Sequence, residues 1–132
     1  MQPALRALIE QYCLTLDGQM RELEGLLSDF PGIAARGPVD ISSALDLVHR
    51  IAGIAGSMGY PAVSDAAAAM ERTLRIIDKA DGNADAETAG NVMTLFSSLQ
   101  LAAGMATPEA SALHGADLGW LDAPARAAKE RA

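Results

Sequence analysis

One histidine stands in a setting that suits nucleophilic chemistry. His49 opens the run HRIAGIAGSMGYPAVSDAAAAMERTLR, residues 49–75, and Ala52, Gly53 and Gly56 follow it by three, four and seven residues. On an α-helix those offsets fall on or beside the histidine's own stripe. Each glycine inside a helix costs about 1 kcal/mol relative to alanine. Two of them beside an imidazole imply close approach, either by another helix or by a partner protein. An ordinary imidazole, with a pKa of about 6.5, is largely uncharged at pH 7. A hydrogen bond to one ring nitrogen fixes the tautomer and leaves the lone pair of the other free for attack on an electrophile. The plainer alternative is a boundary histidine satisfied by water or by one hydrogen bond.

Periodicity alone supports the plainer reading, and the placement of His49 on its helix keeps the first open. At about 100° per residue, the apolar face of its helix centres near Val48 and Ala52. His49 then lies roughly a quarter-turn to the side, on a flank it shares with Gly53 and Gly56, and Arg50 points away from the core. Other chemistries fit less well. The second histidine, His114, and the single cysteine, Cys13, are remote in sequence. No His, Cys and carboxylate cluster has the spacing of a metal site, so no metal is expected. Ser57, Ser64 and Asp65 supply the residue types of a hydrolytic triad, but nothing resembles a nucleophile elbow and a small bundle offers little cleft. There is no phosphate-cradling GxxxxGK[ST] loop and no kinase signature, so neither use of ATP nor autokinase activity is expected.

Composition bounds the rest. The chain has 132 residues, which suits one domain, and half are hydrophobic while only 4% are aromatic. Such a core is built from aliphatic side chains and alanine, which favours closely packed helices. The formal net charge of -7, with ten Lys and Arg, argues against nucleic acid as a partner. A membrane is not expected either, since no apolar run is long enough to span one and no basic amphipathic helix is present. A lone Cys13 suits a reducing compartment. The N-terminal MQPALRALIEQY is not a secretory signal, so a soluble cytoplasmic protein is expected.

Four helices can be read along the chain. The first begins at Pro3 and carries Leu5, Leu8, Ile9, Tyr12, Leu16, Met20, Leu23, Leu27 and Phe30 at three- and four-residue steps, stopping at Pro31-Gly32. Residues 31–40 read as a loop, with Asp40 as N-cap of the second helix. That helix carries Ile41, Ala44, Leu45, Val48, Ile51, Ala52, Ala55 and Met58 on its buried face, and Gly59-Tyr60-Pro61 ends it. A third runs from Pro61 to about Lys79, with Val63, Ala66, Ala67, Met70, Leu74 and Ile77 inward. After the turn Asp81-Gly82-Asn83, a fourth covers about Asp85 to Ala103, with Val92, Leu95, Phe96, Leu99 and Ala103 inward. Short connections predict an all-α, up-and-down antiparallel four-helix bundle over residues 1–104. Residues 105–132 form a C-terminal extension, partly docked or flexible, in which Leu113, Leu118, Trp120 and Leu121 are candidates to dock. One bundle can bury its own apolar faces, so a monomer is expected.

His49-Arg50-Ile51-Ala52-Gly53, Gly59 ten residues after the histidine, and an Ala-rich stretch leading to Met70-Glu71 together resemble the histidine-containing phosphotransfer (HPt) domain family. The family pattern is His, any residue, Leu, Lys, Gly, five residues, Gly, then a helix ending in Leu-Glu. The usual lysine is Ala52 here, and a family variant with His-Arg-Leu-Ala-Gly is closer. The resemblance implies a four-helix bundle in which His49 takes a phosphoryl group from the aspartate of one receiver domain and passes it to another. It implies receiver domains and a hybrid histidine kinase as partners, with Mg²⁺ on the receiver and no cofactor in this chain. Gly53, Gly56 and Gly59 would support the site. Glu71 would face the histidine from the neighbouring helix, orient the imidazole and stabilise positive charge on it; the plainer reading of Glu71 is a pair with Arg75, four residues on. With Ala52 in the lysine's place, Arg50, Arg72 and Arg75 are the candidates to steady phosphoryl oxygens, against a plain role as solvated surface. Two further readings stay open: a helical adaptor without phosphotransfer, and a degenerate phosphotransfer domain that binds receivers without transfer.

Overall fold

The structure, a computed structural model, describes residues 2–28 and 40–113. Among them are four α-helices, α1 (Pro3–Leu26), α2 (Ser42–Ser57), α3 (Pro61–Lys79) and α4 (Ala86–Gly104), then a single 3₁₀ turn, Pro108–Ala110, and no strand. The helices pack as a ring, α1 on α2, α2 on α3, α3 on α4 and α4 back on α1. This is an all-α, up-and-down four-helix bundle.

Local chemistry sets each boundary. Pro3 and Pro61 sit in the first turns of α1 and α3, where their missing N–H groups leave no bond unmade. Asp85 caps α4 by accepting the Thr88 amide at 2.7 Å. At the end of α2 the Tyr60 amide reaches back to the Ala55 carbonyl at 2.9 Å and the Gly59 amide to that of Gly56 at 3.3 Å. That pairing needs a left-handed residue between them, and Gly59 supplies it with φ +86°. The end of α3 repeats the device with Asp81 at φ 57°.

Three expectations shift. α1 ends at Leu26, so Leu27 is buried from the following turn, and Phe30 and Pro31-Gly32 lie outside the described residues. Leu8 is exposed, on the rim of α1. Asp40 stands one residue before the N-cap position, held by Ile41, and its carboxylate accepts the Ser42 amide at 2.9 Å and the Ser42 hydroxyl at 2.6 Å. Those bonds hold the Asp40 carboxyl below its ordinary range.

The core is aliphatic, with Ile9, Leu16, Leu23, Leu47, Ile51, Met70, Leu74, Ile77 and Leu99 fully buried. Tyr12 and Tyr60 stack at 5.9 Å between centroids at one end of it. Burial, aided by neighbouring Cys13, pushes the Tyr12 hydroxyl up to about 12. Residues 105–113 close that end of the bundle. Tyr60 Oη donates to the Thr107 carbonyl at 2.5 Å, Ser111 Oγ to the Met58 carbonyl at 2.6 Å, and the Ala112 amide to the Gly59 carbonyl at 2.7 Å. Arg6 of α1 donates to Glu109 at 2.6 Å. Leu113 packs against the core, while His114, Leu118, Trp120 and Leu121 lie outside the described residues.

Candidate functional site

The flanks of α2 and α3 meet beside His49. The buried residues of α2 are Ala44, Leu47, Val48, Ile51 and Ala55, with Ala52 only half-buried. Leu47, which the sequence reading left off the apolar face, pulls the centre of that face away from Ala52. On a wheel of about 100° per residue, His49 then lies roughly 140° from the centre instead of a quarter-turn. Its side chain is accordingly 67% exposed.

The exposed ring is nonetheless held. His49 Nδ1 lies 2.8 Å from Glu71 Oε2, across the α2–α3 interface. Arg75 donates through Nη2 to the same carboxylate oxygen. Glu71 therefore makes both contacts considered for it, the intrahelical pair and the reach to the histidine. It sits on the α3 flank next to buried Met70 and Leu74, with 14% of its side chain exposed. Burial pushes its carboxyl up, but the hydrogen bonds and charges of Arg75 and His49 together outweigh that and hold it below its ordinary value. An ionised carboxylate only accepts, so Nδ1 carries the hydrogen and the lone pair of the uncharged ring lies on Nε2.

The small residues play separate parts. A Cβ built at Gly53, one turn after His49, meets no other part of the described fold within 4 Å, so the surface there is open. At Gly56 a Cβ would lie 3.3 Å from Ser64 Oγ. That hydroxyl donates to the Ala52 carbonyl at 2.7 Å, tying α3 to α2 on the histidine's side. Ser64 was missed as a site-building residue; the one trace of it in the sequence is a serine placed early in α3, opposite a helix glycine. Ser57 Oγ donates to the Gly53 carbonyl at 3.3 Å, so both serines weighed for a triad are committed to backbone carbonyls. Gly59 lies away from the imidazole, at the helix corner under residues 111–113.

The arginines separate as well. Arg75 is drawn to the site through Glu71, on the Nδ1 side of the ring. Arg72, one residue after Glu71, diverges from it by about 100° and is exposed. Arg50 is exposed and diverges from His49 by about 100° around α2. Neither has a side-chain partner among the described residues.

Among the described residues the His49 side chain stands open at the surface. A groove between α1 and α4, lined by Asp17, Met20, Arg21, Glu24, Gln100, Ala103 and Gly104, shares no residue with the site. Among the described residues no group of three or more His, Cys, Asp or Glu is placed to hold a metal ion. No helix among them is long and apolar enough to cross a membrane.

An exposed imidazole with one nitrogen engaged, on the flank of a four-helix bundle, is an arrangement suited to carrying a group for another protein. Comparison with curated proteins and with solved structures finds no match. The sequence model of the Hpt domain matches residues 7–107, most of the chain, from within the first helix to beyond the fourth. With the bundle, the histidine motif and this match in agreement, the chain belongs to the Hpt domain family, whose members serve histidine phosphotransfer in two-component phosphorelays.

Proposed function

We propose that this protein relays a phosphoryl group between receiver domains through Nε2 of His49, in the cytoplasm. The observation that carries the reading is the ring itself. Its Nδ1 is engaged by Glu71 at 2.8 Å, while 67% of the side chain is open to an incoming partner.

The chemistry follows from that geometry. The Nε2 lone pair attacks the phosphorus of a receiver aspartyl-phosphate, in line with the departing oxygen. The N–P bond forms, the P–O bond breaks, and the aspartate leaves as a carboxylate. The ring, still carrying its Nδ1 hydrogen, gains positive charge, and the Glu71 carboxylate is already in place to stabilise it. The second receiver reverses the sequence: its aspartate oxygen attacks phosphorus, the N–P bond breaks, and the electron pair returns to Nε2. Phosphoryl transfer depends mainly on positioning and charge stabilisation. Mg²⁺ and most of the charge-stabilising groups belong on the receiver, and a hybrid histidine kinase stands upstream. Gly53 clears the approach, because a receiver must bring its phosphoryl group close to the surface of α2.

His49→Gln tests this. The variant is expected to keep the helical circular dichroism spectrum and to take up no ³²P from phosphorylated receiver domains of the same cell. The wild type is expected to acquire acid-labile, base-stable phosphate. Labelling of His49→Gln at the wild-type level would overturn the reading. Wild-type protein that binds receivers without acquiring label would assign it to binding without transfer.

A further inference from the structure

We propose that Arg75 is a positioning residue for the transfer, one that acts on His49 only through Glu71. This deepens the reading above and rests on it.

The argument starts from one oxygen atom. Glu71 Oε2 accepts from Arg75 Nη2 and faces His49 Nδ1. The guanidinium therefore lies on the Nδ1 side of the ring, away from the nitrogen that would carry phosphorus. It stands where it acts on the carboxylate, and the carboxylate acts on the ring. Two consequences follow. The first is orientation. A glutamate has three rotatable bonds, and a second bond to its carboxylate restricts where the imidazole is held.

The second consequence is charge. A lone carboxylate on Nδ1 favours the doubly protonated ring, and such a ring has no lone pair to attack with. An arginine on the same oxygen offsets the negative charge the ring feels, yet leaves the oxygen able to accept the Nδ1 hydrogen. Glu71 thus fixes the tautomer, while Arg75 on the same oxygen counters part of its negative charge. Among the described residues, the other charged groups near the ring do not replace it. Asp46 precedes His49 by three residues on the same side of α2 and is negative. Asp78, one turn beyond Arg75 on α3, is also negative. Arg50 and Arg72 diverge by about 100° from His49 and Glu71 respectively. Arg75 is thus the cation held at the imidazole–carboxylate pair.

The test uses the intact protein, Arg75→Gln and Arg75→Lys, with phosphoramidate as the phosphodonor. In that reaction Nε2 attacks phosphorus and ammonia leaves, so no receiver is required. Labelling rates and the ring ¹⁵N shifts of His49 are followed from pH 5 to 9. Arg75→Gln leaves the Glu71 charge uncompensated and is expected to slow labelling at pH 6 about three-fold, with the loss larger on the acid side of the rate profile. At pH 8.5 the deficit is expected to be smaller than at pH 6, with only the loss of orientation remaining. Arg75→Lys restores most of the profile. In a Glu71→Gln background the Arg75→Gln change is expected to add nothing, since its route to the ring is gone.

An acid limb and ¹⁵N titration identical in wild type and Arg75→Gln would overturn the proposal. So would an equal loss of rate at every pH, which a merely structural role gives. The ¹⁵N titration needs no phosphoryl donor. Failure of the relay reading, in which wild type takes up no phosphate, is therefore separable from failure of the Arg75 role, in which the ring does not respond.

Discussion

Gly59→Ala is expected to be the most damaging single-methyl change in this bundle, for two reasons that act at one atom. Gly59 has φ +86°, a left-handed conformation that costs an alanine about 1–2 kcal/mol. A Cβ there would also lie 2.5 Å from Ser111 Oγ, 2.8 Å from the Ala112 amide nitrogen and 2.9 Å from that of Leu113. Two of those three atoms are backbone, so the segment must move away bodily. Its departure breaks the Ser111 hydroxyl bond to the Met58 carbonyl and the Ala112 amide bond to the Gly59 carbonyl, each worth about 1 kcal/mol net. The total is about 3–4 kcal/mol, or roughly 15 °C in Tm for a domain of this size. Urea unfolding followed by circular dichroism at 222 nm measures it. The matched control is Gly53→Ala, which lies inside α2 with open space around its missing Cβ. There alanine is expected to raise stability by about 0.5–1 kcal/mol. Equal effects at the two positions, or a loss below about 0.5 kcal/mol at Gly59, would refute the reasoning.

The remaining predictions concern the imidazole's neighbours. Glu71→Gln replaces a charged acceptor with a neutral one, and receiver-dependent labelling of His49 is expected to slow about five-fold or more, corresponding to about 1 kcal/mol. The same variant tests the pH dependence of stability. Because the folded-state carboxyl of Glu71 is held below its ordinary value of 4.5, its contribution is fully present above that value and is lost as pH falls through the folded-state value. Wild type is therefore expected to lose more urea resistance than Glu71→Gln between pH 6 and pH 3, and parallel losses would remove Glu71 from that account. Arg72→Ala, at an exposed position about 100° around α3 from Glu71, is expected to leave both labelling and stability within error, and a slowed transfer would place Arg72 at the docked receiver.

Much of the bundle was legible because its punctuation is local. Pro61 and Lys79 bound α3 where proline and the following turn residues predict, and Asp85 marks the start of α4. The inward face of α2 was harder to read. Its apolar residues flank the helix on both sides, and Leu45 and Ala52 fit a stripe as well as Leu47 does. Only the packed bundle decides that Leu47 is the buried one. That choice rotates the face and moves His49 outward, which sequence periodicity does not register. At Glu71 the sequence offered two partners as rivals, and the structure joins both on one oxygen. Gly59 was readable as a helix stop, but not as the seat of residues 111–113, because that contact joins segments some fifty positions apart. Ser64 went unread for the same reason: its bond to Ala52 exists only once two helices have packed.

The measurement closest to the central claim is the identity of the modified atom. Protein uniformly labelled with ¹⁵N, phosphorylated by a receiver and examined by long-range ¹H–¹⁵N and ³¹P NMR, reports which nitrogen bears phosphorus. The expected result is a single phosphohistidine, at His49, with phosphorus on Nε2 and the hydrogen kept on Nδ1 toward Glu71. Phosphorus on Nδ1, or on a residue other than His49, would contradict the account.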